Sequence, residues 1–584
     1  METTQSHADT ATKKNPLTGR LVLGILFLLP SLFCCVTQFL LPTVSTFAMS
    51  FQKISMVGSK AIYVGLDNYA RLFDNELFWQ ATGFTFITLF VRLFVVALVP
   101  LFFAWAVGQF GRPVRLGLRV IFTLPVVFFI PVAIAIAWLM FLNPNNGFFP
   151  FGRSWVASPT SARSTLLFID ALYFLGLTSG LGLMIYLPIW RRSVNTLQPT
   201  VREVLKPMLT TWGLGILGMI VLTLNTFTLN FVLTNGGPGR STTTLGLLLY
   251  QFAFRNLNMG PGASIASLIL LITLTLGIAA GLLIILNRLR LNILDSKLTK
   301  EKTDPSITPK SNRAIPGIVV VLLALLILGA CLFSAVPFGW LIPQAFAKNG
   351  LGHFLDRISI GQVFVNSLVP PLVTVTLQVL TAYLAALSIG ALRPFGKRSE
   401  WLLLLFSPWL FTTLLPLSLI FFLSNHKAGL LDTFAGSFSP IQFSIPVLFI
   451  LTIFFAGRAS QLQNATAEGE AQDSSNFFKH FILPSLPLAG VLWLILLFFN
   501  GQDIVWPLLT DVSPERHTLN LVLLQSIGTF QGATGSLAAA IIFFVLPICI
   551  FFFVCLAAFQ VLYLDRLTLY TEILPTAKTS QDPE

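Results

Sequence analysis

The chain has 584 residues, of which 55% are hydrophobic and only 10% charged, with a mean hydropathy of +0.81. That much apolar surface exceeds what a soluble domain buries and marks a polytopic α-helical membrane protein. The formal net charge of +13 would suit a nucleic-acid binder, but the placement of the charges, taken below, argues against that class.

Residues 1–20 are polar and end on Lys13, Lys14 and Arg20. About twelve spans are predicted from the apolar runs. The first six cover roughly 21–49, 80–109, 116–142, 165–190, 208–234 and 262–287. The first run is too long for a signal-peptide core and lacks a small-residue cleavage site, so it is expected to be retained as a span. A polar linker, 288–313, carries Arg288, Arg290, Lys297, Lys300, Lys302 and Lys310 with Pro and Thr between them. The second six cover roughly 315–345, 364–392, 400–424, 440–457, 482–500 and 536–564. The tail, 567–584, is polar. Two six-span domains are therefore expected, 21–287 and 314–566.

Lys and Arg fix the expected orientation. With the N-terminus in the cytoplasm, the cytoplasmic segments hold Lys13 to Arg20, Arg112, Arg115 and Arg119, Arg191 to Lys206, the linker, Arg393, Lys397 and Arg398, Arg458 and Lys479, and Arg566 and Lys578. The opposite loops are longer yet poorer in both. The basic excess is thus topological, and both termini are expected in the cytoplasm.

The two series read as a duplication. Phe78-Trp79-Gln80-Ala81-Thr82 opens the second span and Phe364-Val365-Asn366-Ser367 opens the eighth. After the fifth span comes Leu233-Thr234-Asn235-Gly236-Gly237-Pro238, then Thr244-Leu245. After the eleventh comes Leu509-Thr510-Asp511-Val512-Ser513-Pro514, then Thr518-Leu519. An even number of spans precedes the linker, so the halves run in parallel, and a transport path is expected between them.

These residues resemble the paired permease subunits of ATP-driven bacterial sugar importers, of the maltose and glycerol-phosphate type. The first half resembles the first subunit at Val64-Gly65-Leu66-Asp67-Asn68-Tyr69, Leu142-Asn143-Pro144 and Asn225-Thr226-Phe227. The second resembles the partner at Asn366-Ser367, Gly429-Leu430-Leu431-Asp432-Thr433 and Gln502-Asp503-Ile504-Val505-Trp506-Pro507-Leu508. The resemblance implies a fusion of two normally separate subunits: an all-α type I importer fold of about twelve helices in two parallel six-helix repeats. It implies a carbohydrate-like solute, alternating access and a bacterial inner-membrane location. The implied partners are ATPase subunits on the cytoplasmic side and a periplasmic or lipid-anchored solute-binding protein outside.

In that family each half carries a cytoplasmic coupling helix with an E-A-A, then D-G, then L-P pattern, which docks on an ATPase. The polar island Arg458–Pro487 stands at this place in the second half. Counting back from Leu483-Pro484 puts Ala467 on an alanine, Glu470 where Asp is expected, Ala471 where Gly is expected, and Phe478 on the aromatic. Glu468 and Asp473 complete its candidate contacts. In the first half the matching segment, Arg191–Pro207, is short and lacks both motifs; Arg202 and Glu203 are its candidate coupling residues. These departures keep a second reading open: a permease homologue working without ATP coupling, or a non-transporting membrane partner.

Asn225, Asn230, Gln502, Asp503 and Trp506 lie on or near the fifth span of each half. They are candidate substrate-path residues, with Trp506 as a sugar-stacking face; the alternative is interhelical hydrogen bonding. Arg92, deep in the second span, either attracts an anionic substrate or pairs with a carbonyl or an acid. The Gly236-Gly237-Pro238 turn lacks the Gly-Lys-Ser/Thr of a phosphate loop. The five cysteines (Cys34, Cys35, Cys331, Cys549, Cys555) sit within apolar runs as small hydrophobes. The sequence offers no cluster of His, Cys, Asp and Glu for catalysis or metal binding, so no cofactor is expected and ATP hydrolysis is left to another chain.

Overall fold

The computed structural model describes residues 16–54, 61–142, 156, 158–190, 201–293, 314–346, 350–356, 358–467, 476–529 and 534–572. The first span is α1 (Pro16–Cys35), which passes through a π-helical turn at Val36–Leu40 into α2 (Leu41–Ser50). A short hairpin of β1 (Gln52–Lys53) and β2 (Ile62–Tyr63) follows. The second span, α3 (Glu76–Gly108), opens on Asn75, whose side chain accepts from the Leu77 N–H at 3.0 Å. That contact satisfies one of the donors a helix start leaves free.

The third span is two helices, α4 (Arg112–Val127) and α5 (Pro131–Phe141), meeting at 75°. Pro131 explains the bend. Its ring drives the preceding residue out of the helical region, and Ile130 sits at φ −118°, ψ 83°. The first half then continues with α6 (Pro159–Ile185), started by a capping box between Ser158 and Ser161. After it come α7 (Val201–Leu224), α8 (Thr228–Thr234), α9 (Leu245–Tyr250) and α10 (Met259–Leu286).

The second half has α11 (Ala314–Ala345), α12 (Ile360–Ala386), α13 (Ser418–Lys427), α14 (Ile445–Ala467), α15 (Leu483–Asn500), α16 (Val505–Thr510), α17 (Leu519–Thr529), α18 (Thr534–Ala540) and α19 (Leu546–Leu562). Among the described residues ten helices are long and apolar enough to cross a membrane, or eleven when α4 and α5 count as one span.

The expected span at 400–424 is the exception to the count of twelve. It is a chain of short turns: 3-10 at Gly396–Leu402, one helical turn at Leu403–Phe406, 3-10 at Ser407–Trp409 and at Leu415–Leu417, then α13. Pro408 and Pro416 remove backbone donors and block a continuous helix. The freed backbone lies against protein. A Cβ on Gly277 of α10 would stand 2.4 Å from the Ser407 carbonyl, so only glycine admits this approach. The Trp409 indole N–H donates to the Thr43 hydroxyl of α2 at 3.0 Å. Irregular backbone at membrane depth persists where protein covers it.

One pairing pattern recurs in the two series, with an exchange of first helices. α3 packs on α6 and α7; correspondingly, α12 packs on α14 and α15. α1 of the first half lies on α12 of the second, and α11 of the second lies on α3 and α6 of the first. α10 crosses the broken 403–409 segment, and α19 crosses α4.

Two short strands meet at one end of the helices. β3 (Leu289–Ile293), after the sixth span, pairs antiparallel with β4 (Leu567–Thr571), after the last. Arg290 on β3 makes a bidentate pair with Glu400 (3.0 and 2.9 Å) and reaches Glu572 at 3.0 Å, while Arg393 reaches Glu400 at 3.2 Å. Arg112, Arg115 and Arg119 of α4 all turn toward the buried Asp565 at the end of the last span, at 3.4–3.7 Å. On the opposite face Asn366 donates to the carbonyls of Glu515 and His517.

Candidate functional site

The second half encloses a cavity of about 610 Å3 between α12, α15 and the π-helical turn Ile541–Val545 that leads into α19. Its polar end is built where α15 stops at Asn500 and the chain turns through Gly501, Gln502 and Asp503 into α16. Three of the sequence-predicted path residues meet here: Gln502, Asp503 and Trp506 all line the cavity. The Gln502 backbone N–H donates to the Phe499 carbonyl at 3.2 Å, while its side-chain amide makes no hydrogen bond among the described residues. Asp503 accepts from the N–H groups of Val505 (3.0 Å) and Trp506 (3.4 Å), which start α16. Burial nevertheless pushes its carboxyl above the usual carboxylate range.

Trp506 is 1% exposed, and its indole N–H is shared between the carbonyls of Gly436 and Phe438, each at 3.0 Å. It contributes an edge to the cavity wall and anchors the outer loop. The other two path residues stand apart from the cavity. Asn230 is buried and donates to the Thr242 carbonyl at 2.8 Å. Asn225 donates to Val221 one helical turn back, and its buried Oδ1 has no partner.

The repeated Thr-Leu pairs dock in the same way. The Leu245 N–H donates to the Thr85 hydroxyl at 3.0 Å, and the Leu519 N–H donates to the Ser367 hydroxyl at 2.7 Å. Each outer loop is thereby fastened to the second span of its own series. In the second half Asp432 also clamps the loop, accepting from the N–H groups of Val512 (3.0 Å) and Ser513 (2.8 Å) and from the Ser513 hydroxyl. These bonds hold its carboxyl below the usual range. Neighbouring Asp511 accepts from Ser437 (2.8 Å) and Thr510 (2.9 Å), yet burial pushes it up to about 6. Burial also lowers the His517 imidazole.

Arg92 is a paired residue. Its guanidinium grips Asp170 of α6 through two bonds of 2.7 Å, donates to the Thr226 hydroxyl at 2.7 Å and lies 4.1 Å over the Phe174 ring. Sequence reasoning left the partner unnamed, although Asp170 is the one acid in α6. Near this lock the halves close on an apolar seam. Phe499 of α15 packs on the cluster of Val96, Phe174 and Met219, and a Cβ on Gly218 of α7 would meet the Phe411 ring at 3.3 Å.

Of the candidate coupling residues, Glu468, Glu470, Ala471 and Asp473 lie outside the described residues. Ala467 ends α14, and Arg202 and Glu203 fall in the first turn of α7. Described structure resumes in a π-helical turn, Phe478–Ile482, leading through Leu483 and Pro484 into α15. Phe477 and Phe481 stack at 5.0 Å, with Phe481 buried. Phe478 and Leu483 are 57% and 55% exposed. The Arg458 guanidinium, at the end of the tenth span, donates to the His480 carbonyl at 3.4 Å.

No protein-family model matches the chain. Curated relatives do. The sn-glycerol-3-phosphate transport system permease protein UgpA of Pectobacterium atrosepticum is 25% identical over 295 residues, covering 46% of this chain and 95% of that protein. The trehalose/maltose transport system permease protein MalF of Thermococcus litoralis is 28% identical, covering 44% of this chain and 91% of its own. A probable ABC transporter permease protein, YurN of Bacillus subtilis, is 24% identical and covers 44% and 94%.

Proposed function

Because this chain is a homologue of ABC transporter permease proteins, we propose that it is a fused permease pair of an ATP-driven importer. Its solute is of the carbohydrate class that the name of the trehalose/maltose relative indicates, and its membrane is the bacterial inner membrane. The observation that carries this reading is coverage. Each relative aligns over more than nine-tenths of its own length but less than half of this chain, and the chain packs as two series by one pattern. Domains 21–287 and 314–566 then stand for the two subunits, joined through a cytoplasmic linker.

The working cycle is alternating access. ATPase subunits press on the loops at Arg191–Pro207 and Arg458–Pro487, where Phe478 and Leu483 offer an exposed apolar edge. The seam at Phe411 and Phe499 parts, and a binding protein delivers solute at the outer loops. ATP biases the cycle only through its different affinity for the two states. The excess of Lys and Arg on the face that carries both termini sets that face toward the cytoplasm. No chemical step belongs to this chain.

Affinity purification from native membranes tests the reading. An ATPase chain should co-purify, and deleting residues 468–475 should abolish its solute-stimulated activity. Recovery of the chain without an ATPase, repeated after mild cross-linking, would overturn ATP coupling. It would favour the second reading, an uncoupled or non-transporting permease homologue, which the short Arg191–Pro207 segment supports.

A further inference from the structure

We propose that the cavity of the second half binds an amphiphile, with its apolar chain between the eighth, eleventh and twelfth spans and an uncharged hydrogen-bonding head at Gln502. The proposal deepens the permease reading and rests on it for the membrane setting and for the class of head group sought. Three observations carry it.

The first is shape. From Asn500 to Trp493 the lining descends seven residues of α15, and from Phe364 to Thr374 it descends ten of α12. At 1.5 Å per residue these are depths of about 10–15 Å, which reach well into one leaflet. The walls are Leu372, Leu494, Leu497, Phe498 and Phe552, with Leu368 and Phe551 more than half exposed on the outer, lipid-facing side. The cavity therefore opens sideways toward acyl chains. A free sugar would leave these apolar walls unfilled, while Ser439, Asn500, Gln502 and Asn520 at the polar end suit a hydroxylated head.

The second is charge. Among the lining residues Asp503 alone is charged, and it already accepts from two backbone N–H groups. Nothing in the lining neutralises a phosphate or a carboxylate, so an uncharged head fits best.

The third is a pair of unpaired hydroxyls. Thr374 and Thr518 line the cavity with their Oγ1 atoms buried and unbonded, and Thr374 is 1% exposed. Their counterparts in the first half are bonded. Thr88 stands ten residues after Phe78, as Thr374 does after Phe364, and donates to Phe84 at 2.9 Å. Thr244, the counterpart of Thr518, donates to the Thr226 carbonyl at 2.6 Å. The second half thus leaves two hydroxyls unpaired where the first half pairs both, so its packing around the cavity is the less completely bonded of the two.

Radiolabelled octyl glucoside, kept below its micelle concentration, provides the probe. The full-length chain would be held in phosphatidylcholine nanodiscs. Saturable binding is expected, at least tenfold weaker in Leu497→Trp, which fills the cavity, and several-fold weaker in Gln502→Leu. Thr88→Val should bind as the parent does. Non-saturable uptake, or equal binding in the parent and both cavity variants, would overturn the proposal. If Leu497→Trp loses its monodisperse elution, the Gln502→Leu comparison decides alone. Displacement of the glycoside by a short-chain diacylglycerol, an uncharged lipid, would identify bilayer lipid as the occupant, whereas displacement by short-chain phosphatidylcholine would overturn the uncharged head. Retention against diacylglycerol, with inward movement of the glycoside in sealed proteoliposomes, would identify a transported solute. Absence of an ATPase leaves these binding outcomes intact, so failure of the importer reading and failure of this site are separate results.

Discussion

Fourteen residues beyond Phe78, the first half carries Arg92; fourteen residues beyond Phe364, the second carries Gln378. Arg92 ties α3 to α6, through Asp170 and the Phe174 ring, and to the turn after α7, through Thr226. Gln378 makes one bond, to the Ile441 carbonyl at 2.8 Å. Four residues earlier in the two spans, Thr88 is bonded and Thr374 is not. The same packing pattern thus surrounds a charged lock in one half and a cavity in the other. A duplicated fold can hold one copy rigid as a frame and leave the other open as a receptacle. Burying the Arg92 charge is tolerable because Asp170 and Thr226 answer it within the protein.

The largest effect is expected from breaking the lock. Arg92→Leu leaves the Asp170 carboxylate buried without its partner, at a cost of about 3–5 kcal/mol. Thermal unfolding of the detergent-purified chain should show a large loss, and the double variant Arg92→Leu with Asp170→Leu should recover most of it. Gln378→Leu should cost only about 1 kcal/mol, the worth of one neutral hydrogen bond. Equal losses at Arg92 and Gln378 would erase the distinction between the halves.

A second contrast lies in the outer loops, where the first half has Asn235 and the second has Asp511. Burial raises Asp511 to about 6, so the folded protein binds this proton more tightly than the unfolded chain, whose carboxylate titrates near 3.9. The favourable state is complete below that lower value and is lost as pH rises through about 6. The full difference is on the order of 2–3 kcal/mol. Asp511→Asn should therefore stabilise the chain at pH 7.5, and the gap to the parent should close near pH 4. His517, lowered by burial, works in the opposite direction, but it is common to both proteins and drops out of their difference. A gap that stays constant with pH would remove Asp511 from the account.

How much of this was legible beforehand follows from what each feature needs. Apolar runs located the long helices, because spanning lipid requires an unbroken stretch of one residue class. Parity and charge put the linker and the tail on one expected face; β3, where the linker begins, pairs with β4, where the tail begins. The run 400–424 misled. Its composition is apolar, but Pro408 and Pro416 break it, and the close fit of Gly277 and Gly281 against Ser407 lets the broken chain stay buried. Arg92 was recognised as anomalous, while its partner lay 78 residues away, beyond the reach of local spacing. Trp506 looked like a stacking face from its type, yet its ring is packed and its N–H is engaged. The cavity itself had no signature in the sequence. It is space left between α12, α15 and the Ile541–Val545 turn, and the fit of elements far apart in the chain leaves no trace in residue order.

The smallest effect expected is also the sharpest test of the contrast between the halves. Thr88→Val removes a hydroxyl that donates to Phe84 and should cost about 0.5–1.5 kcal/mol. Thr374→Val removes a buried hydroxyl without an acceptor, so in delipidated protein it should be neutral or stabilising by up to about 1 kcal/mol. Thermal unfolding of the two variants side by side reads the difference in sign. If Thr374→Val costs as much as Thr88→Val without any ligand, its hydroxyl is bonded within the protein and the two halves are alike at this position.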